Sequence, residues 1–170
     1  KPGTLHAAFV RSPHAHARIG AIRTEAARTL PGVAAVLTGA DVMKLSASLV
    51  VGVKAPIECW PIATDPVRYV GEPVAVVVAA SRYVAEDALD LIDIDYEPLP
   101  AVVDPVAALD SAQPILHDGL RSNLASERTF RYGDPEKAFA DAARRVSVTI
   151  RYPRNSCTPM ETYGLVAEYD

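Results

Sequence analysis

The sequence predicts an α+β fold, a mixed or antiparallel sheet with a few short helices, and three observations carry that prediction. The strand-like segments at Ile92–Tyr96 and Val146–Tyr152 alternate apolar with polar residues, as strands with one wet face do. The one continuous β-branched run, Val74–Ala79, is too short for a helix of that character. Helical patterns are brief and interleave irregularly with strands, unlike the regular strand–helix rhythm of a doubly wound parallel sheet.

In chain order, Thr4–Val10 reads as a strand and Ser12-Pro13-His14 as a turn. Ala17–Arg23 is a second strand carrying Ile19 and Ile22. The Ala-rich Thr24–Leu30 favours a short helix that Pro31-Gly32 ends. Val33–Leu37 follows as a strand, and Thr38–Asp41 opens a helical turn with Asp41 as its cap. Ser46–Asp65 has no period and reads as an extended loop, and Val67–Val70 as a short strand. Gly71-Glu72-Pro73 breaks the chain before the buried run Val74–Ala79.

Ser81–Leu91 is the clearest helix. Ser81 is a good N-cap, and Val84, Ala88 and Leu91 share one face. Asp93, Asp95 and Glu97 form the solvated face of the strand that follows. Asp104-Pro105 and Asp134-Pro135 each place an N-cap Asp before a Pro that has no N–H to lose. They start helices to Leu109 and over Pro135–Ala143. Ser111–Ser126 is polar and irregular, a linker by composition. Tyr163–Tyr169 alternates again and is expected to pair near Val146–Tyr152.

A chain of 170 residues with 49% hydrophobic residues suits one domain, or one domain and part of another. A net charge of −4 and the lack of a basic run argue against nucleic acid. Val74–Ala80 is far shorter than the roughly 20 residues a membrane span needs. Neither a secretion signal nor a cysteine framework is visible, so the cytoplasm is expected. The chain starts at Lys1 and stops within a strand-like run at Asp170, which suggests a segment of a longer polypeptide.

The residues that could carry chemistry each have a structural reading. His14 and His16 form an HxH pair that could share a metal on one strand face, yet zinc needs three or four ligands and His6 and His117 stand apart. Hydrogen-bonded residues at a turn are the simpler account. Cys157 would need a nearby His to act as a nucleophile, and Cys59 forms no CxxC with it. Glu161 and Glu72 could be bases, or could bind backbone N–H groups and hold their loops. Glycine-rich phosphate loops and a nucleophile elbow are absent. From the residues alone, no catalytic, cofactor-binding or metal-ligating position is assigned.

Several stretches, taken in order, resemble one family. They are Arg11-Ser12-Pro13-His14-Ala15-His16-Ala17-Arg18-Ile19, Leu30–Val33 with Ala35–Asp41, Val67-Arg68-Tyr69-Val70-Gly71-Glu72-Pro73-Val74-Ala75, Ala85–Ala88, and Asp95–Val102. Together they look like the a/b hammerhead domain of molybdenum hydroxylase large subunits, the xanthine dehydrogenase, aldehyde oxidase and carbon monoxide dehydrogenase family. Gly133–Ala140 and Pro159-Met160-Glu161-Thr162 look like the opening of the molybdopterin-binding domain of the same polypeptide. Many members have Pro-Met-Glu-Pro there. Pro-Met-Glu-Thr-Tyr-Gly, with no His ahead of the Pro, leans toward the carbon monoxide dehydrogenase-like branch and leaves the substrate open.

The resemblance implies a hammerhead over residues 1–118, and a linker with the truncated start of the cofactor domain over 119–170. It implies hydroxylation with water-derived oxygen in the full enzyme. Electrons would pass to [2Fe–2S] clusters and FAD on partner subunits or domains. The molybdenum–molybdopterin, in dinucleotide form, would be bound by residues beyond this segment. The catalytic Glu also lies downstream, so no catalytic residue is carried over. Pro13 and Gly32 would shape turns, and Gly71 and Pro73 the approach to the buried strand. The His14 turn or the Gly71–Pro73 break is expected to face a neighbouring domain. Two rival readings are a standalone binding module of the same fold and a small metal-dependent hydrolase built on His14 and His16.

Overall fold

The computed structural model describes residues 1–49, 52, 57–153, 160, 161 and 163–168. The chain divides into two compact units, Lys1–Arg128 and Thr129–Asp170.

The first unit holds two antiparallel sheets. Strand β1 (His6–Arg11), strand β3 (Val33–Thr38) and strand β4 (Pro73–Ala79) form a three-stranded sheet in the order β1-β4-β3. Strand β2 (Ala17–Arg23) pairs with strand β5 (Asp93–Pro98) in a second sheet. Helix α1 (Glu25–Thr29) and helix α2 (Gly39–Leu45) flank β3 in sequence, and helix α3 (Arg82–Leu89) follows β4. The α+β class read from the sequence is the class observed.

Strand β4 is central because its side chains enter both cores. Val77 and Ala79 pack with Ala27 of α1, Val36 of β3, and Ala85 and Ala88 of α3. The alanines let the short helices lie close to the sheet. Val74 instead joins Ala17, Ala63 and Val67, with Ile19, Ile22, Ile94 and Tyr96 packed around them. Val36, Val67, Val74 and Val77 are fully buried, each worth about 1.5–3 kcal/mol of transfer free energy.

Local chemistry explains most element boundaries. The Ser81 hydroxyl accepts the Val84 N–H at 3.2 Å and starts α3, as its N-cap position predicts. Helix α3 ends at Leu89, two residues earlier than the apolar pattern suggests. Gly32 (φ +93°) and Gly71 (φ +88°) occupy the left-handed region and turn the chain ahead of β3 and β4. Asp41 is not the cap of α2. Thr38 is, and Asp41 Oδ2 accepts from the Thr38 N–H and hydroxyl, both at 3.0 Å. Those two bonds hold the Asp41 carboxyl below the usual carboxylate range. Asp104 Oδ1 accepts from Val106 N and Ala107 N, starting a single 3₁₀ turn at Ala107–Leu109.

Two expected strands differ. Val67–Val70 shrinks to one bridge, Val67 with Ala17, because the chain turns again at Val70-Gly71. Residues 146–152 are not a strand, and the described part of 163–169 is not one either. Val146, Val148, Ile150 and Tyr152 are each at least three-quarters exposed. An isolated pair of strands with no third neighbour or covering helix gains too little burial to form. In the second unit the Asp134 cap holds as read: Asp134 Oδ1 accepts the Lys137 N–H, and helix α4 runs over Pro135–Asp141, short of Ala143.

Candidate functional site

Three of the polar residues singled out in the sequence, His14, His16 and Glu72, lie at or beside two turns of the first unit. Ser12, buried, follows β1. Its N–H donates to the Glu72 carbonyl at 2.9 Å, and its carbonyl accepts the Gly71 N–H at 2.8 Å. Arg11 Nη1 donates to the Gly71 carbonyl at 2.8 Å. The end of β1 and the Gly71 turn are therefore tied by three backbone acceptors. Glu72 Oε2 accepts the Arg68 N–H at 2.5 Å. Its carboxylate holds its own loop, the second of the two roles open to it in the sequence.

His14 and His16 lie between β1 and β2 rather than on a strand. The His14 ring packs 5.0 Å from the Tyr96 ring, tilted by 57°. His16 is buried, and its Nδ1 lies 2.7 Å from the Pro100 carbonyl oxygen. The His16 carbonyl accepts the Leu99 N–H at 2.9 Å, so this residue fastens the end of β5 to the start of β2. Each histidine has its own structural neighbour, as the turn reading expects. Among the described residues no group of three or more His, Cys, Asp or Glu could hold a metal ion. The Tyr96 hydroxyl is buried, and among the described residues no group meets it in full hydrogen-bond geometry, although Ser12 lies nearby. Burial pushes its phenol up, opposed in part by Ser12.

The sequence did not point to Asp65 or Arg68, which organise a cleft of about 370 Å³ lined by Trp60, Thr64, Arg68, His117 and Asp118 among others. Asp65 takes the Ile19 N–H at 2.8 Å and the Arg18 guanidinium at 2.9 Å. Arg68 Nε donates to the Leu116 carbonyl at 2.8 Å and Nη1 to the Pro66 carbonyl at 3.2 Å. Asn123 closes the same loop by accepting from Leu116 N and donating to Ala108 and Pro114. The irregular stretch 111–126 is thus pinned to the sheets. Burial, reinforced by Arg68, pushes the His117 imidazole down, so it is neutral at pH 7. Asp65 and Arg68 both bind backbone groups at this cleft.

Glu161 is exposed and Cys157 lies outside the described residues. From Thr129 onward every described residue is exposed.

Residues 1–100 match the family model for the aldehyde oxidase and xanthine dehydrogenase a/b hammerhead domain. Residues 116–170 match the model for a molybdopterin cofactor-binding domain. The nicotine 6-hydroxylase large subunit of Paenarthrobacter nicotinovorans is 40% identical over 99% of this chain and 21% of its own length. The carbon monoxide dehydrogenase large chain of Afipia carboxidovorans is 38% identical over 99% of this chain and 22% of its own. Among solved structures, quinoline 2-oxidoreductase of Pseudomonas putida 86 superposes with a TM-score of 0.69 at 45% identity, over 74% of this chain and 16% of that one. The chain spans about a fifth of the length of the curated relatives it matches. It belongs to the aldehyde oxidase and xanthine dehydrogenase family, matching its a/b hammerhead domain over residues 1–100 and a molybdopterin cofactor-binding domain over residues 116–170.

Proposed function

We propose that this segment is the N-terminal structural portion of the molybdenum-cofactor-binding large subunit of an oxidoreductase, and that it performs no chemistry itself. The observation that carries the reading is that four polar side chains at its turns and cleft are used to fasten the fold. Glu72, Asp65, Arg68 and His16 all bind backbone groups. A buried cofactor site needs rigid supporting walls that exclude water, and a small two-core module can supply one.

In this proposal the hammerhead ends near residue 118, just inside the cofactor-binding match that begins at residue 116. Catalytic, cofactor-binding and metal residues lie outside the segment. The full subunit hydroxylates a carbon with oxygen from water, holding a molybdopterin in dinucleotide form. It passes electrons to [2Fe–2S] and FAD partners in a cytoplasmic hetero-oligomer. Among the described residues no helix is long and apolar enough to cross a membrane.

The test compares two purified proteins, the full-length polypeptide with its partners and residues 1–170. Molybdenum content and dye-coupled oxidation of N-heterocycles, aldehydes and carbon monoxide are measured for each. The full protein is expected to carry molybdenum and oxidise one of these classes, and residues 1–170 to do neither. Activity above background in the short chain, or a full-length protein free of molybdenum, would overturn the proposal.

A further inference from the structure

We infer that the surface around the Gly71 turn, formed by Phe9, Arg11, Tyr69 and Val70, docks against a later part of the same polypeptide that presents an apolar surface with a carboxylate. The inference rests on the reading of this chain as part of a large subunit. Tyr69 is 55% exposed, Val70 64% and Phe9 41%. Arg11 links them. The Arg11 guanidinium lies 5.8 Å above the Phe9 ring and donates to Gly71, and Tyr69 is close enough to Arg11 and Glu72 to feel both charges. Aromatic residues and Arg are the side chains that interface centres favour.

The patch is also preorganised. Three hydrogen bonds tie Arg11 and Ser12 to Gly71 and Glu72, and the Glu72 N–H donates to the Tyr69 carbonyl at 3.3 Å. Docking there orders little that is not already ordered, which removes part of the usual cost of association. Arg11 makes no ion pair among the described residues, since the recorded pairs use Arg18, Arg23, Arg28, Arg82 and Lys137. A guanidinium stacked on a ring beside apolar side chains is matched by a carboxylate on the opposing face.

Size decides between a separate subunit and the same chain. A stable interface between separate proteins takes roughly 20–30 residues a side, and four side chains fall far short. An attached segment meets the patch at high effective concentration and needs few contacts. Relatives that match nearly all of this chain are about five times longer, so polypeptides of this kind have ample sequence to supply it.

The experiment is hydroxyl-radical labelling of the full-length large subunit, alone and with its partners, with each residue's rate referred to the denatured chain. Loss of labelling at Tyr69 and Phe9 in the subunit alone is expected. Labelling that persists in the subunit alone, whether or not partners then remove it, overturns the inference. A second arm uses Arg11→Lys and a carbodiimide. A cross-link from position 11 to an Asp or Glu later in the same chain supports the inference; a cross-link into another polypeptide, or none, overturns it. Molybdenum content of the same preparation separates the two claims. Protected Tyr69 in a molybdenum-free protein sinks the functional reading and leaves the docking surface standing.

Discussion

Arg68 Nε lies 2.8 Å from the carbonyl oxygen of Leu116, a bond between residues 48 positions apart that fixes the 111–126 stretch against the sheets. A hydrogen bond from a charged donor is worth roughly 1.5–3 kcal/mol where it is shielded from water. Arg68 is half-buried, so the lower end applies. Arg68→Ala is expected to lower the stability of the first unit by about 1.5 kcal/mol and to open the loop to limited proteolysis between Gln113 and Asn123. Arg68→Lys can reach one carbonyl at most and should fall between. An unchanged cleavage rate in Arg68→Ala would show that Asn123 holds the loop alone.

The contrast between Arg68 and Ser81 shows what sequence makes legible. Ser81, Gly32 and Gly71 act on residues within a turn or two, so composition announces them. Strand β4 announces itself because both of its faces are buried. Asp65 grips Ile19 across 46 positions, and nothing in Thr64-Asp65-Pro66 distinguishes it from a loop aspartate. Val67–Val70 has strand composition, but pairing is decided by the neighbour, and the Gly71 turn allows one bridge. Asp41 shows a local difference: a Thr three residues ahead of an Asp forms a capping box, so the cap is Thr38, three positions before the residue the sequence reading chose.

The Ser81 cap gives the next expectation. Its hydroxyl satisfies one of the four N–H groups left open at the start of α3, and α3 carries Ala85 and Ala88 into the core. Ser81→Ala should cost about 1 kcal/mol and Ser81→Gly a few tenths. Chemical denaturation of the three proteins should rank them in that order. Equal midpoints for serine and alanine would mean that packing of α3, and not its cap, sets the helix start.

His117 predicts a pH dependence. Burial and Arg68 lower its pKa in the folded protein, while the unfolded chain keeps a value near 6.5. Between those two values the unfolded state binds more protons, so stability falls as pH falls through about 6.5 toward the folded value. Above that window the term is constant. Thermal melts from pH 7.5 down to 5 should show a larger loss for the native protein than for His117→Gln, with the two curves parallel above neutrality. Parallel curves throughout would show that His117 protonates without opposition and that the cleft is wetter than its burial indicates.

Gly39 separates helix propensity from packing. It is the first residue of α2, where alanine is ordinarily the better helix former by about 1 kcal/mol. Its φ is not in the left-handed region, so backbone conformation does not demand glycine. A methyl group there would overlap the Ala63 carbonyl oxygen, with the Ala63 carbonyl carbon at 2.9 Å and Thr64 N at 3.3 Å. All three obstacles are backbone, held because Ala63 N donates to the Pro73 carbonyl at the start of β4. The loop cannot yield without loosening β4, so overpacking should override propensity. Gly39→Ala is expected to destabilise the first unit by roughly 1–3 kcal/mol, with faster amide exchange at Ala63 and at the start of β4. A more stable Gly39→Ala protein would mean that the 61–65 loop shifts freely, and that the close approach of Gly39 to Ala63 does not help to hold that loop against β4.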